Sequence, residues 1–471
     1  MRGLGWIGLG ALMLSGHAFA GSISAPGVIG GPESGAATSN AASMYYNPAT
    51  LAPMQGVHSM LDMQVAAVRI DFDATRNDGI DPNTGECYET ATARVVAPVS
   101  HLGITTNVIP DRLTVGLGFS TPFLGGGDYT STEKGEVPPY KGSQRYHAIN
   151  TKVITAQVTT AVGVTLKDWL HLGAGFLYTY DLISVLKASD PLGTEGVPSD
   201  QLTDAVPANP YTTDVLLEGT ATGHHLGWNF GFLLENEKGA RLGGSYTSGG
   251  LFSTEGEGSV RVPEFIGGVT VPALLSVEMP LPAVVRLYGD APVSKKWNVG
   301  AGVDYYLWNQ CCGDPDGDII IGITNQAGNA IGPDDGVTTI TIDDVQYSPR
   351  RLWNSLGMSG LAGYQHSDKV WLGGRLGYNQ NAVPDYAVGP SNLDFTSFGF
   401  MLGARYHLMG PATVGLSYSK FFLQTRNIVD SAWNLGDGNE RFTTELPYTS
   451  STNGVYSGAV DIVGVRVQMD W

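Results

Sequence analysis

A few groups of residues in this 471-residue chain have types and spacings that could do chemistry. His224 and His225 are adjacent imidazoles, and imidazole is a common metal ligand. Neighbours on a strand point to opposite faces, so a strand position would prevent the two from sharing one ion. Asp314, Asp316 and Asp318, in Asp314-Pro315-Asp316-Gly317-Asp318, have the alternate carboxylate spacing of a calcium loop. The glycine is out of place for an EF-hand and no distal glutamate follows, which leaves a solvated acidic loop or a loose divalent site. Cys87, Cys311 and Cys312 include no zinc-type CxxC pair. In an oxidising space Cys87 could bridge Cys311 or Cys312, since adjacent cysteines rarely bond each other. The alternative is loop thiols with no role. A hydrolase would need a nucleophile elbow, and no Gly-x-Ser-x-Gly is present. The expectation is a protein that is not an enzyme and holds no cofactor.

Bulk charge narrows the partners. Lys and Arg number 26 against 44 Asp and Glu, a net charge of -18. A nucleic-acid partner needs a basic surface, so none is expected. The first residues read as a secretory leader: Arg2, an apolar run over residues 6–14, and Ala18-Phe19-Ala20 as a small-x-small cleavage site. The run is too short to span a bilayer. The organisation expected is a signal peptide at 1–20, a Gly/Ala/Ser/Pro-rich segment at 21–56, and a strand-rich body at 57–471.

In that body, alternation of period two is the dominant pattern. Val463, Val465, Val467, Met469 and Trp471 share one strand face, and Gly464, Arg466, Gln468 and Asp470 the other. Leu170, Leu172, Ala174, Phe176, Tyr178 and Tyr180 alternate likewise with His171, Gly173 and Gly175, and Trp297, Val299, Ala301, Val303 and Tyr305 repeat the pattern. Such alternation suits lipid on one side and a wet lumen on the other. Only helices and closed barrels satisfy every backbone polar group in lipid. About 14 segments carry the pattern: 57–74, 91–107, 111–123, 148–167, 169–187, 219–236, 239–260, 274–293, 295–311, 347–367, 369–384, 392–408, 411–430 and 454–471. Tight turns such as Leu166-Lys167-Asp168-Trp169 alternate with long connections such as 188–213, 313–345 and 430–453. The fold expected is all-β, a transmembrane antiparallel barrel of about 14 strands in the outer membrane, a monomer inserted by the barrel-assembly machinery among outer-membrane lipid.

Specific strings then add a family resemblance. A small-residue run from Ser34 ends in Tyr45-Tyr46-Asn47-Pro48-Ala49, just before the first strand. Ser120-Thr121-Pro122-Phe123, Gly227-Trp228-Asn229-Phe230, Gly244-Ser245-Tyr246, Arg375-Leu376-Gly377-Tyr378 and Val383-Pro384-Asp385 follow in order. As a set these resemble the long-chain fatty-acid transporter family of the FadL type, including its aromatic-hydrocarbon branch. The resemblance implies a 14-stranded barrel plugged by an N-terminal hatch. It implies capture of a hydrophobic cargo at the outer loops, most directly a long-chain fatty acid, then a lumen pocket and lateral exit at a kinked third strand. Asn47, Pro48 and Ala49 are then the hatch motif, expected to anchor against the third strand. Pro122, Phe123, Gly125 and Gly126 are expected at the side opening, since a proline removes a ladder donor. Ile23, Val28 and Ile29 would stand in for the aromatic residue that begins better-known members and enters their ligand pocket. Near the fifth strand the chain has Asp181 and Lys187 rather than an arginine, and Arg350 or Arg351 would meet a head group. Uptake of other hydrocarbons, a passive porin and an outer-membrane lipolytic enzyme are the competing readings.

Overall fold

The computed structural model describes residues 29–73, 90–122, 124–130, 143–189, 214–262, 268–312, 319–325, 343–348, 351–390, 392–429, 431, 433–434, 441–442 and 452–471. Strands dominate. In chain order they are β1 (Val57–Asp73), β2 (Ala91–Ile109), β3 (Leu113–Ser120), β4 (Leu124–Asp128), β5 (Asn150–Lys167), β6 (Leu170–Ser189) and β7 (Val215–Glu235). Then come β8 (Arg241–Thr247), β9 (Gly250–Arg261), β10 (Thr270–Leu281), β11 (Val284–Pro292), β12 (Trp297–Tyr306), β13 (Ile319–Asn325) and β14 (Asp343–Ser348). The last are β15 (Ser355–Gln365), β16 (Val370–Asn379), β17 (Ser397–His407), β18 (Ala412–Ile428), the short pair β19 (Trp433–Asn434) and β20 (Arg441–Phe442), and β21 (Gly454–Asp470).

Nineteen of these form one antiparallel sheet that closes on itself, because β1 pairs with both β2 and β21. Three staves of the wall are broken in two: β3 with β4, β8 with β9, and β10 with β11. Counted with those joined, and without the outer hairpin β13–β14, the barrel has fourteen staves. Closure removes free edges, as lipid requires. The breaks in the seventh and eighth staves lie side by side. A Cβ on Gly249 would stand 2.5 Å from the Leu281 carbonyl oxygen, so only glycine lets the backbones approach there. The sequence had suggested unbroken strands at 239–260 and 274–293, and a loop over 313–345. Instead Pro282, lacking a donor, interrupts one of them. The β-branched run Ile319-Ile320-Ile321 builds β13 onto the outer part of β10.

The long strands alternate over most of their length as the sequence suggested. On β1, Leu61, Met63 and Val65 face out while Met60, Asp62 and Gln64 are buried. Phe176, Trp228, Phe230, Leu376, Phe398 and Leu416 are likewise exposed on the outside. So much contiguous apolar surface is untenable in water and natural in lipid. At the tight-turn end, Lys167 lies over the Trp169 ring and Lys296 over Tyr364, as expected of cations and aromatics at a membrane interface.

Candidate functional site: the lumen and a gap in the wall

Inside the barrel, polarity changes with depth along single strands. The inward positions of β1 run Asp62, Gln64, then Ala66, Val68, Ile70 and Phe72 toward the long-loop end. On β2, His101 and Thr105 give way to Ala97, Val95, Ala93 and Ala91, and on β21 Arg466 gives way to Ile462 and Val460. The lumen is therefore polar near the tight turns and apolar near the long loops. Barrels conventionally place short turns in the periplasm and long loops outside, so the apolar half is the outer half. One apolar cluster there joins β1, β2, β18 and β21 to the connection 380–396, which turns inward and buries Val383, Val388, Leu393 and Phe395. A second joins Val153, Ile183, Val185, Leu217, Phe252 and Leu275.

The inner, polar half is occupied by residues 29–56. Their contacts run round the circumference. Asp62 on β1 accepts from Gly30 N at 2.6 Å. Thr114 on β3 donates to Met54 O at 3.3 Å, and Asn229 on β7 to Met44 O at 3.2 Å. Ser245 on β8 donates to Tyr46 O at 2.5 Å. Arg375 on β16 donates to Pro32 O at 2.8 Å and also to Ser34 O. Glu33 is held by Arg466 at 2.6 Å and Arg405 at 3.3 Å. Burial pushes the Glu33 carboxyl up, but the two guanidinium groups outweigh it and hold the group below the ordinary 4.5. These grips explain why Arg375, Asn229 and Ser245 stand inside the recognisable strings. Sequence reading alone gave them no role.

Asn47 behaves as its type suggests. It is extended (φ -158°, ψ 109°), and its side chain accepts from Ala49 N at 3.0 Å, capping the turn Pro48–Leu51. Its Nδ2 donates to Ala36 O at 2.7 Å and to Phe232 O on β7 at 2.8 Å. The motif therefore seats against β6 and β7, not the third stave as expected. The reason is space: Gly173 on β6 and Gly231 on β7 have no side chain where Ala49 and Asn47 lie, whereas Gly116 and Gly118 on β3 make room for Met44 and Leu51.

A gap opens in the wall at the third stave. β3 pairs with β2 up to His101↔Ser120, and Thr121 N donates to Ser100 O at 3.2 Å. Beyond that link β4 pairs with β5 alone. Among the described residues, no ladder joins β4 to residues 91–99 of β2, which pair only with β1. Val57 exchanges backbone bonds with Trp471, so by alternation the even residues of β2 direct their backbone groups toward β3 and the open side. Pro98 is one of them. Its missing N–H falls where no partner strand exists, as a proline in a sheet requires. Pro98 was not singled out from sequence, although a proline inside a clean alternation was the available signal. Pro122, buried, sits at the break, and Gly125 and Gly126 lie on β4 beside the opening. Phe123 lies outside the described residues.

The other expectations fall as follows. Ile29 is buried and accepts from Tyr46 Oη at 2.8 Å, within residues 29–56. Arg351 has a left-handed backbone (φ 52°) and precedes Leu352, which is buried in the outer apolar cluster. Ile23, Val28, Cys87, Asp314, Asp316, Asp318 and Arg350 lie outside the described residues, as does the leader over 1–20. His224 faces outward and His225 inward, so the two do not form a common site. Lys187, inward and buried on β6, makes no hydrogen bond or ion pair among the described residues.

A closed barrel with a lipid-facing outer surface, a polar inner lumen and an apolar outer lumen defines an outer-membrane β-barrel. Residues 13–311 match the family described as outer membrane protein transport protein (OMPP1/FadL/TodX), and the chain belongs to that family of transport proteins. No curated sequence matches the chain. Among solved structures it is similar to a Pseudomonas aeruginosa FadL homologue, at 16% identity over 94% of this chain and 98% of that one, with a TM-score of 0.72. The Pseudomonas putida toluene transporter TodX is 13% identical over 96% and 100%, TM-score 0.65. The Ralstonia pickettii toluene transporter TbuX is 13% identical over 95% and 99%, TM-score 0.60. At these identities the likeness is one of fold.

Proposed function

We propose that the chain takes up hydrophobic small molecules by capture at the outer loops, passage along the apolar outer lumen, and sideways release into the bilayer between β2 and β4. Residues 29–56 serve as the plug that denies a straight aqueous path. The observation that carries this reading is the missing ladder between β2 and β4 at the depth where inward faces are apolar. An insoluble chain has no use for a water-filled pore, because each CH₂ kept out of water is worth about 0.8 kcal/mol. An exit into lipid never returns it to water.

The first cargo reading is a long-chain fatty acid. Lys187 supports it: its side chain is largely buried among apolar inward-facing residues, and no internal partner for its ammonium stands among the described residues, so a cargo carboxylate would complement the charge. Arg351, near the same outer cluster, is the second candidate. The neutral-hydrocarbon reading is favoured by a different observation. Arg286, Arg375, Arg426 and Arg466 are all committed to internal carboxylates or carbonyls, so these four guanidinium groups are not offered to a cargo carboxylate. Uptake of labelled oleate and of toluene by cells lacking their own transporters tests both. Expression of the chain should raise one or both above a vector control. Steady ion conductance in planar bilayers with neither uptake would instead support a passive porin.

A further inference from the structure

Asp181 and His225 are both inward-facing, on the adjacent strands β6 and β7. The Asp181 side chain is fully buried, and its Oδ2 lies 2.7 Å from His225 Nδ1. Its other oxygen, Oδ1, has no hydrogen-bond partner among the described residues. The pair sits at the level where the lumen changes character. On β6, Thr179 lies on the polar side of Asp181, and Ile183 and Val185 lie on the apolar side. On β7, Gly223 and Gly227 flank His225, so no inward side chain of that strand stands beside the ring.

We infer that Asp181 and His225 form a hydrogen-bonding station for the hydroxyl of an amphiphilic cargo, an alcohol or a phenol. The inference rests on the transport reading above and narrows its substrate class. The chemistry is one of donors and acceptors. A neutral ring that gives its Nδ1–H to Asp181 keeps Nε2 as an acceptor, and Asp181 Oδ1 is an acceptor too. In that tautomer both open positions accept a donor. A hydroxyl supplies one, and its apolar body then lies among Ile183, Ala221 and Phe252. A carboxylate supplies none and meets a like charge. The carboxylate of a fatty acid would keep to Lys187, further out on β6. A bond to an ionised acceptor in a desolvated place is among the stronger ones, so the hydroxyl should matter about tenfold or more in affinity.

The test is titration of the purified full-length barrel in detergent with 4-ethylphenol and with ethylbenzene, which differ by one hydroxyl. The expected result is at least tenfold tighter binding of 4-ethylphenol to the wild type. That advantage should shrink below about threefold in Asp181→Asn and in His225→Phe, with ethylbenzene affinity unchanged. If the two compounds bind the wild type alike, the station is disproved while the transport reading stands. An advantage that persists in both variants also overturns it, since the pair would then be met by water only. If neither compound binds, the station is likewise overturned, and the transport reading then stands or falls on the oleate and toluene uptake measured separately. Heat-modifiable gel migration separates a folded variant from a misfolded one, and if both variants misfold the wild-type ranking decides.

Discussion

Asn47 shows how much one side chain can hold. Its carboxamide makes three hydrogen bonds, two within the N-terminal segment and one to the wall, and the residue is fully buried. Asn47→Ala strands those partners, and a buried unsatisfied group costs about 1–3 kcal/mol. The barrel should still assemble, because its strand ladders do not involve Asn47. Hydrogen exchange over residues 29–56 should speed up by one to two orders of magnitude while the wall stays protected. Unchanged exchange would show that Asn47 is incidental to the seating. Glu33 gives a pH signature. Its folded-state carboxyl lies below the ordinary 4.5, so its ion pairs with Arg405 and Arg466 stabilise the seated segment above that value. The contribution is lost as pH falls through the depressed folded value. Protease resistance of the segment should be flat from pH 8 to 5 and fall in stronger acid, and in Glu33→Gln that acid-dependent fall should be absent. An equal fall in Glu33→Gln would assign the acid sensitivity to other groups.

At the scale of elements, alternation was legible and interruptions were less so. The outward faces of β6, β12 and β21 follow from period two alone, because a lipid-facing strand leaves its pattern in consecutive residues. The breaks at Gly249 and Pro282 depend on two staves meeting side by side, which no single stretch of chain records. The bulge in β18 between Leu423 and Arg426 is similar. It flips the strand's facing, so Arg426 points inward and donates to Asp394 O at 2.7 Å, Val383 O at 2.9 Å and Asp385 Oδ1 at 2.6 Å. Arg426 thus clasps the connection 380–396 into the outer lumen, although simple alternation continued from Phe421 would have placed it outside. Arg426→Ala should release that connection at a cost of about 3 kcal/mol or more, since a carbonyl pair and a carboxylate lose their donor together. Limited proteolysis within 380–396 should appear in the variant and not in the wild type. A protected connection in Arg426→Ala would mean that the apolar packing of Val383 and Phe395 suffices.

At the scale of the whole molecule, the sequence carried the barrel and the family strings, and the structure adds where those strings meet. Asn229, Ser245 and Arg375 are far apart in the chain, yet all grip the one segment that Asn47 in turn ties to Phe232. That convergence needs the closed wall and cannot be read from spacing. The same holds for the gap: Pro122 marked a break, but the missing ladder involves residues 91–99 of β2, with Pro98 among them, as well as the third stave. The central claim is release through that opening. The most direct measurement is the initial rate of oleate or toluene uptake, whichever the wild type carries, in Gly125→Trp and Gly126→Trp, scored beside equilibrium binding to the intact barrel. A bulky ring beside β4 should block the side exit. Uptake is expected to fall at least tenfold while binding stays within about twofold and the barrel inserts normally. Wild-type uptake in both variants, with normal insertion, would contradict side release and require an axial path past residues 29–56.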